Sequence, residues 1–445
     1  MLLAILALLA LPAQASTAEP SSQPSSQPSS QPSSQPSSQP SSQPTFLGFT
    51  FTQHTVSRGA DGARCVFAID VDGDGDIDML SASFADSKIA WYENDGSESF
   101  TPHTISITAI GAQSVFAIDV DGDGDIDVLS ASTDADKIAW YENNGSEVFT
   151  ERIITITANG AASVFAIDVD GDGDIDVLTA SVHDDTVAWY ENNGVEVFTK
   201  RNVTITADGA QSVFAIDVDG DGDIDVLSAS IWDDAIAWYE NDGTQVFTKH
   251  IITVNADLAH SVFAIDVDGD GDIDVLSASA YDDTIAWYEN NGSQVFTEHH
   301  ITITANGARG VFAIDLDRDG DIDVLSASAI DNKIVWYEND GSQVFTPRTI
   351  SNIADGATAA ANDATSVFAI DVDGDGDIDV LSANFVDDTI AWYENDGSEV
   401  FTLHTISTTA NGAYDVFAID VDGDGDIDVL SASMHDDTIA WYEND

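Results

Sequence analysis

Aspartate recurs in this chain in eight clusters of five, with one residue between successive aspartates. The first cluster is Asp70, Asp72, Asp74, Asp76 and Asp78, and the second is Asp119, Asp121, Asp123, Asp125 and Asp127. Then come Asp168, Asp170, Asp172, Asp174 and Asp176; Asp217, Asp219, Asp221, Asp223 and Asp225; and Asp266, Asp268, Asp270, Asp272 and Asp274. The last three are Asp315, Asp317, Asp319, Asp321 and Asp323; Asp371, Asp373, Asp375, Asp377 and Asp379; and Asp420, Asp422, Asp424, Asp426 and Asp428. Together they hold half of the chain's 80 acidic residues. Each cluster reads Asp-x-Asp-x-Asp-Gly-x-x-Asp. On a tight turn, alternate aspartates aim their carboxylates at one centre. Gly75 permits the bend, the Asp76 carbonyl offers a backbone oxygen, and Asp78 closes the site.

Several hard oxygen ligands suit Ca2+ far better than zinc or copper, and Mg2+ prefers a rigid octahedron with retained water. Without a cation, so many carboxylates would repel one another and raise one another's pKa. The competing reading, a solvated acidic turn, weakens as the loop is repeated eight times with every aspartate kept. The expectation is up to eight Ca2+ ions, structural rather than signalling, bound at about 10⁻⁴–10⁻³ M as in extracellular modules. The loop matches the first nine positions of an EF-hand, but Ser81 stands where the EF-hand has glutamate, and no helices flank it. The nonapeptide β-roll repeats its motif back to back, unlike the spacing here. In the sixth loop Arg318 replaces a glycine, so that site is expected to differ in affinity.

The elements that position these loops follow from the repeat. First loop aspartates are 49 residues apart, except for 56 between Asp315 and Asp371, where the excess falls around Ala357 to Ala364. In the second repeat Val115–Asp119 reads as strand A, Asp127–Ser132 as B, Ile138–Glu142 as C, and Val148–Ile154 as D; Asn143-Asn144-Gly145 turns between C and D. Four strands per period of about 40–50 residues predict an all-β, eight-bladed propeller of four-stranded antiparallel blades. A D-type strand, Phe51–Val56, precedes the first A strand, and nothing follows the last C strand, Ile439–Glu443. The N-terminal strand is therefore expected to complete the last blade and close the ring. A seven-bladed ring with a spare unit, or an open solenoid, would leave strand edges unpaired.

Residues 1–15 read as a secretory signal peptide: an apolar run from Leu2 to Leu11, then Ala13-Gln14-Ala15. Residues 16–45 carry an SSQP repeat that blocks helix and sheet pairing, and read as a solvated linker. The propeller is assigned to 46–445. No second apolar segment is long enough to span a membrane, and the C-terminal WYEND offers no anchor signal. Asn144, Asn202 and Asn291 stand in N-glycosylation triplets. One cysteine, Cys65, permits no internal disulfide and reads as a small residue at a serine position, which leaves metal as the staple. A net charge of −68 excludes binding to nucleic acid through its phosphates.

The acidic loop between two short strands resembles the FG-GAP repeats of the integrin α-subunit propeller. The unit FAIDVDGDGDIDVLSAS followed by IAWYENDG is similar to the VCBS-type repeats of secreted and surface proteins. The resemblance covers Phe51 to Asp445. It implies calcium at Asp119, Asp121, Asp123 and Asp127 and their equivalents, and a role in adhesion or recognition. Integrins carry the loop in only some of seven blades, whereas all eight units have it here; ligand identity does not transfer.

Strand alternation places the acidic loops and the C–D turns on one face and the B–C and D–A connections on the other. The latter vary: Phe84-Ala85, Thr133-Asp134, Val182-His183, Ile231-Trp232, Ala280-Tyr281, Ala329-Ile330, Phe385-Val386 and Met434-His435 in B–C, with Arg64, His260, Arg309 and Tyr414 assigned to the D–A loops. Neutral drift in exposed loops is the plainer reading, and a ligand surface for an extracellular protein or glycan the sharper one. His54, His103, His250, His299 and His404 share one place in the D strand, which points to a structural role rather than catalysis. The expectation is a monomeric secreted binding module with no catalytic residues. An acidic matrix or mineral scaffold is the alternative, and a propeller hydrolase or lyase a more distant one.

Overall fold

Each repeat places four short, β-rich segments between turns that force reversal, and they pair in sequence order. A computed structural model describes residues 50–351 and 364–444, apart from 98, 196 and 399. The expected signal peptide, the whole of the expected linker and most of the insertion lie outside the described residues. Among those described, 32 strands form eight four-stranded antiparallel sheets, and there is no helix. The first blade is strand A (Ala63–Ile69), B (Asp78–Ser83), C (Lys88–Asn94) and D (Phe100–Ser106). The N-terminal strand Phe51–Ser57 pairs antiparallel with the final strand Thr438–Asn444, Phe51 opposite Asn444, and so supplies the outer strand of the eighth blade. That pairing satisfies an edge that would otherwise be open.

Burial grades outward along each blade. B strands are buried throughout, and their Ser-Ala-Ser ends let neighbouring sheets approach closely. D strands, at the rim, are half exposed. Phenylalanines of successive A strands touch around the axis, for example Phe67 with Phe116 at 5.7 Å and with Phe417 at 5.9 Å between ring centroids. The first D-strand phenylalanine of each blade meets, edge to face, the buried C-strand tryptophan of the blade before. Phe149 on Trp91 and Phe100 on Trp441 are examples, the latter across the closure.

Strand A departs from expectation at its start. It runs Ala112–Ile118 in the second repeat, three residues earlier than Val115 and ending before Asp119. The added Ala-Gln-Ser reads as loop, yet it is strand, with Gln113 partly exposed at the channel mouth between the buried Ala112 and Ser114. Arg64, His260, Arg309 and Tyr414 are thus second residues of A strands, not loop residues. No described helix is long and apolar enough to cross a membrane.

Candidate metal loops and the variable face

The five aspartates of a loop divide the work. The ninth-position carboxylate is fully buried, as Asp78 and Asp127 show. Asp78 Oδ1 accepts the Asn94 backbone N–H at 2.7 Å and Oδ2 that of Val71 at 2.9 Å, an arrangement found in all eight blades. It therefore ties the loop to the end of strand C. The first aspartate accepts from the loop glycines: Asp70 Oδ1 from Gly73 N–H at 2.8 Å and Oδ2 from Gly75 N–H at 3.0 Å. Gly75 sits at φ 101°, open to glycine but not to side-chain-bearing residues. Two N–H bonds leave a carboxylate with free lone pairs.

Those lone pairs converge. Asp70, Asp72 and Asp78 place one oxygen each within 4.8 Å of one another, as do Asp168, Asp170 and Asp176, and Asp217, Asp219 and Asp225. Asp119, Asp121 and Asp123 do the same in the second loop. In the sixth and seventh loops one buried oxygen of the first aspartate, Asp315 Oδ1 and Asp371 Oδ1, has no hydrogen-bond partner. Converging carboxylates with orphaned oxygens fit a hard divalent cation such as Ca2+. Burial pushes Asp127 up to about 7 and Asp78 to about 6, opposed by their backbone N–H bonds, with a smaller rise from the third-position aspartates. Asp76 is turned elsewhere: its carboxylate packs against Gly96 of the C–D turn, as Asp125 does against Gly145. Its backbone carbonyl is the ligand expected from sequence. Those contacts also put the acidic loops and C–D turns on one face.

Neighbouring blades buttress each loop, which spacing alone could not reveal. Asn143 Nδ2 donates to the Val71 carbonyl of the preceding loop at 3.2 Å, and Asn444 Nδ2 to that of Val372 at 3.2 Å. Gln245 Nε2 reaches Asp170 Oδ2 at 2.7 Å, while Glu147 joins Asp72 and Glu93 in a further acidic group. In the sixth loop Arg318 takes φ 61°, a backbone region costly for a side-chain-bearing residue. Its guanidinium lies against Gly376 of the seventh loop.

The D-strand histidines His54, His103, His250, His299 and His404 each pair with a C-strand glutamate and stack on a C-strand tryptophan. His103 Nε2 contacts Glu93 at 2.7 Å and its ring stacks on Trp91 at 4.6 Å. In other blades Arg152, Arg201 and Arg348 take this place, each paired with a C-strand glutamate. Cys65 is fully buried, its Sγ 3.3 Å from the Val115 N–H, in keeping with its serine-like position. Asn144, Asn202 and Asn291 are exposed.

The opposite face carries the variation. D–A glycines hold the B–C turns closely: the Phe84 N–H donates to the Gly62 carbonyl at 2.9 Å, and that of Ile231 to Gly209 at 3.0 Å. Trp232, Tyr281, Ile330 and Val386, in blades four to seven, are 51%, 76%, 66% and 56% exposed. His183 of blade three stacks on Trp232 at 6.0 Å. At the channel mouth on this face the second A-strand residues are Arg64, Gln113, Ala162, Gln211, His260, Arg309, Thr365 and Tyr414. Gln113, Gln211 and Thr365 were not singled out from sequence, because their segment reads as loop; their variation beside an invariant Val-Phe-Ala-Ile was the available signal.

The FG-GAP-like repeat model matches the chain seven times, at residues 70–130, 119–179, 168–228, 217–277, 266–326, 317–382 and 371–431. The chain belongs to the FG-GAP-like repeat family. Each match begins in or just before an acidic loop and ends within strand B of the next repeat. No curated protein matches the sequence. Among solved structures, the V. cholerae biofilm matrix protein Bap1 is similar at 13% identity, covering 89% of this chain and 91% of that one, with a TM-score of 0.53. The rhamnogalacturonan lyase YesW is similar at 13% identity over 88% of this chain and 72% of its own, with a TM-score of 0.54. An Agrocybe aegerita lectin that recognises non-reducing terminal N-acetylglucosamine matches at 18% identity, 79% of this chain and 92% of that one, with a TM-score of 0.50. At these identities the likeness is one of fold.

Proposed function

We propose that this FG-GAP-like propeller is a secreted adhesion or recognition module. It holds its shape with Ca2+ in each blade and captures an extracellular protein or glycan on the face opposite the metal loops. One observation carries the reading: in repeats that are otherwise closely similar, the B–C connections differ in every blade, and consecutive blades expose Trp232, Tyr281, Ile330 and Val386 there. Exposed aromatic and apolar side chains clustered on a polar surface are typical of partner sites. The lectin and the biofilm matrix protein among the similar folds are in keeping with it. Binding rather than catalysis is favoured because the D-strand histidines are each paired with a glutamate and stacked on a tryptophan, blade after blade.

Replacing Trp232 and Tyr281 together by alanine is expected to abolish capture of matrix proteins or arrayed glycans while leaving the bound calcium count unchanged. Capture at the wild-type level would remove the loops from the account. The net charge of −68 favours a second reading, an acidic scaffold held to cationic surfaces. That binding would be reversed by moderate salt, whereas recognition through apolar anchors survives it.

A further inference from the structure

Loop seven has the same nine residues as loop one, Asp-Val-Asp-Gly-Asp-Gly-Asp-Ile-Asp, yet it is bonded differently. In loops one to five and in loop eight, Oδ1 of the first aspartate accepts the N–H of the fourth-position glycine at 2.8 Å. In loops six and seven Asp315 Oδ1 and Asp371 Oδ1 are instead buried without a partner. A departure in a loop of unchanged sequence comes from its neighbours. The neighbour that differs is Arg318, at the fourth position of loop six, where the other seven loops have glycine. It keeps a glycine-like backbone, with φ 61° against 75° for Gly122. Its guanidinium crosses the blade junction and lies against Gly376 of loop seven. The equivalent glycines of other loops, such as Gly75 and Gly425, have open space at this point and are exposed, whereas Gly376 is half-buried. Arg318 forms no ion pair among the described residues, so no side chain cancels its charge.

The same junction lacks a tie between blades. In seven blades the asparagine that ends strand C donates to a carbonyl of the preceding loop, at 3.1 to 3.5 Å. Asn395 Nδ2, in blade seven, donates to the Ile378 carbonyl of its own loop at 3.2 Å and, among the described residues, makes no bond to loop six. The corresponding carbonyl there belongs to Leu316, which stands where the other loops have valine.

We propose that loops six and seven form a separate, weaker pair of calcium sites, set by the Arg318 guanidinium. Two effects act in one direction. Asp315 and Asp371 lack the N–H bond that fixes their counterparts, so ion binding itself must order these carboxylates. A unit positive charge several ångströms from a divalent ion also weakens its binding by about tenfold, even in water. This pair rests on the calcium reading of the loops and adds an order of loading: six loops fill first, and the junction of blades six and seven fills last.

Equilibrium dialysis of the full calcium-loaded chain against falling calcium should release two ions per chain at a concentration roughly tenfold above that which releases the other six. R318G restores the residue of the other seven loops and should release all eight together. R318Q removes the charge but keeps a side chain at positive φ, and should recover most of the tenfold difference. D375N, in loop seven, should cost one of the two early ions, and D123N, in loop two, one of the later six. Uniform release of eight ions by the wild type, an early pair that persists in R318G or R318Q, or loss of a late ion from D375N would each overturn the proposal. Uniform release would leave the calcium reading standing, whereas a chain that holds no calcium would refute both.

Discussion

Asp127 accepts two backbone N–H groups from inside the protein, those of Val120 at 3.1 Å and Asn143 at 2.7 Å. Replacing it by alanine leaves both donors buried and unpaired, so the loss should be about 3 kcal/mol by urea unfolding even with chelator present. Asp123→Ala, at an exposed loop position, should cost little in chelator and show its effect only in calcium. Equal losses for the two variants in chelator would contradict this division of roles. Spacing made all five aspartates of a loop legible as one site, because alternation on a turn fixes their general direction. It could not separate the buried tie, Asp78, from Asp76, whose side chain packs on Gly96. That difference arises from a C–D turn distant in sequence.

Strands B, C and D were legible to within a residue, because their apolar and β-branched content coincides with burial. Strand A was not: its second residue, Gln113 in the second repeat, is partly exposed at the channel mouth between the buried Ala112 and Ser114, and a polar residue there reads as loop. The closing strand was legible from counting alone, since a D-type segment stood before the first A strand. Its contacts are the pairing with Thr438–Asn444, Phe51 on Trp392 at 5.9 Å, and His54 with Glu443 at 2.6 Å. Deleting residues 46–57 should lower the melting midpoint and expose the final strand as an open edge. Concentration-dependent self-association by light scattering is the expected sign. A truncated chain that stays monomeric and melts like the full one would contradict closure by this strand.

Over the whole molecule, the eight loops set how stability responds to pH. Burial raises the closing carboxylates, with Asp127, Asp176 and Asp428 at about 7 against 3.8 ordinarily. A folded-state value above the unfolded one means the native protein binds more protons between the two. Stability in chelator is therefore greatest at acid pH and falls as pH rises from about 4 through 7. A chelated protein should melt higher at pH 5 than at pH 7.5, and the self-repulsion of a chain at −68 acts in the same direction. Bound Ca2+ favours the ionised carboxylates, so its stabilising effect should grow with pH.

The measurement that bears most directly on a calcium-held propeller is a thermal melt at pH 7.5 in millimolar Ca2+ and in EGTA. A ligand that binds only the folded state raises the midpoint, and eight sites add their effects. A large rise in calcium, reversed by chelator, is expected. An identical midpoint in both would show that the acidic loops are not staples.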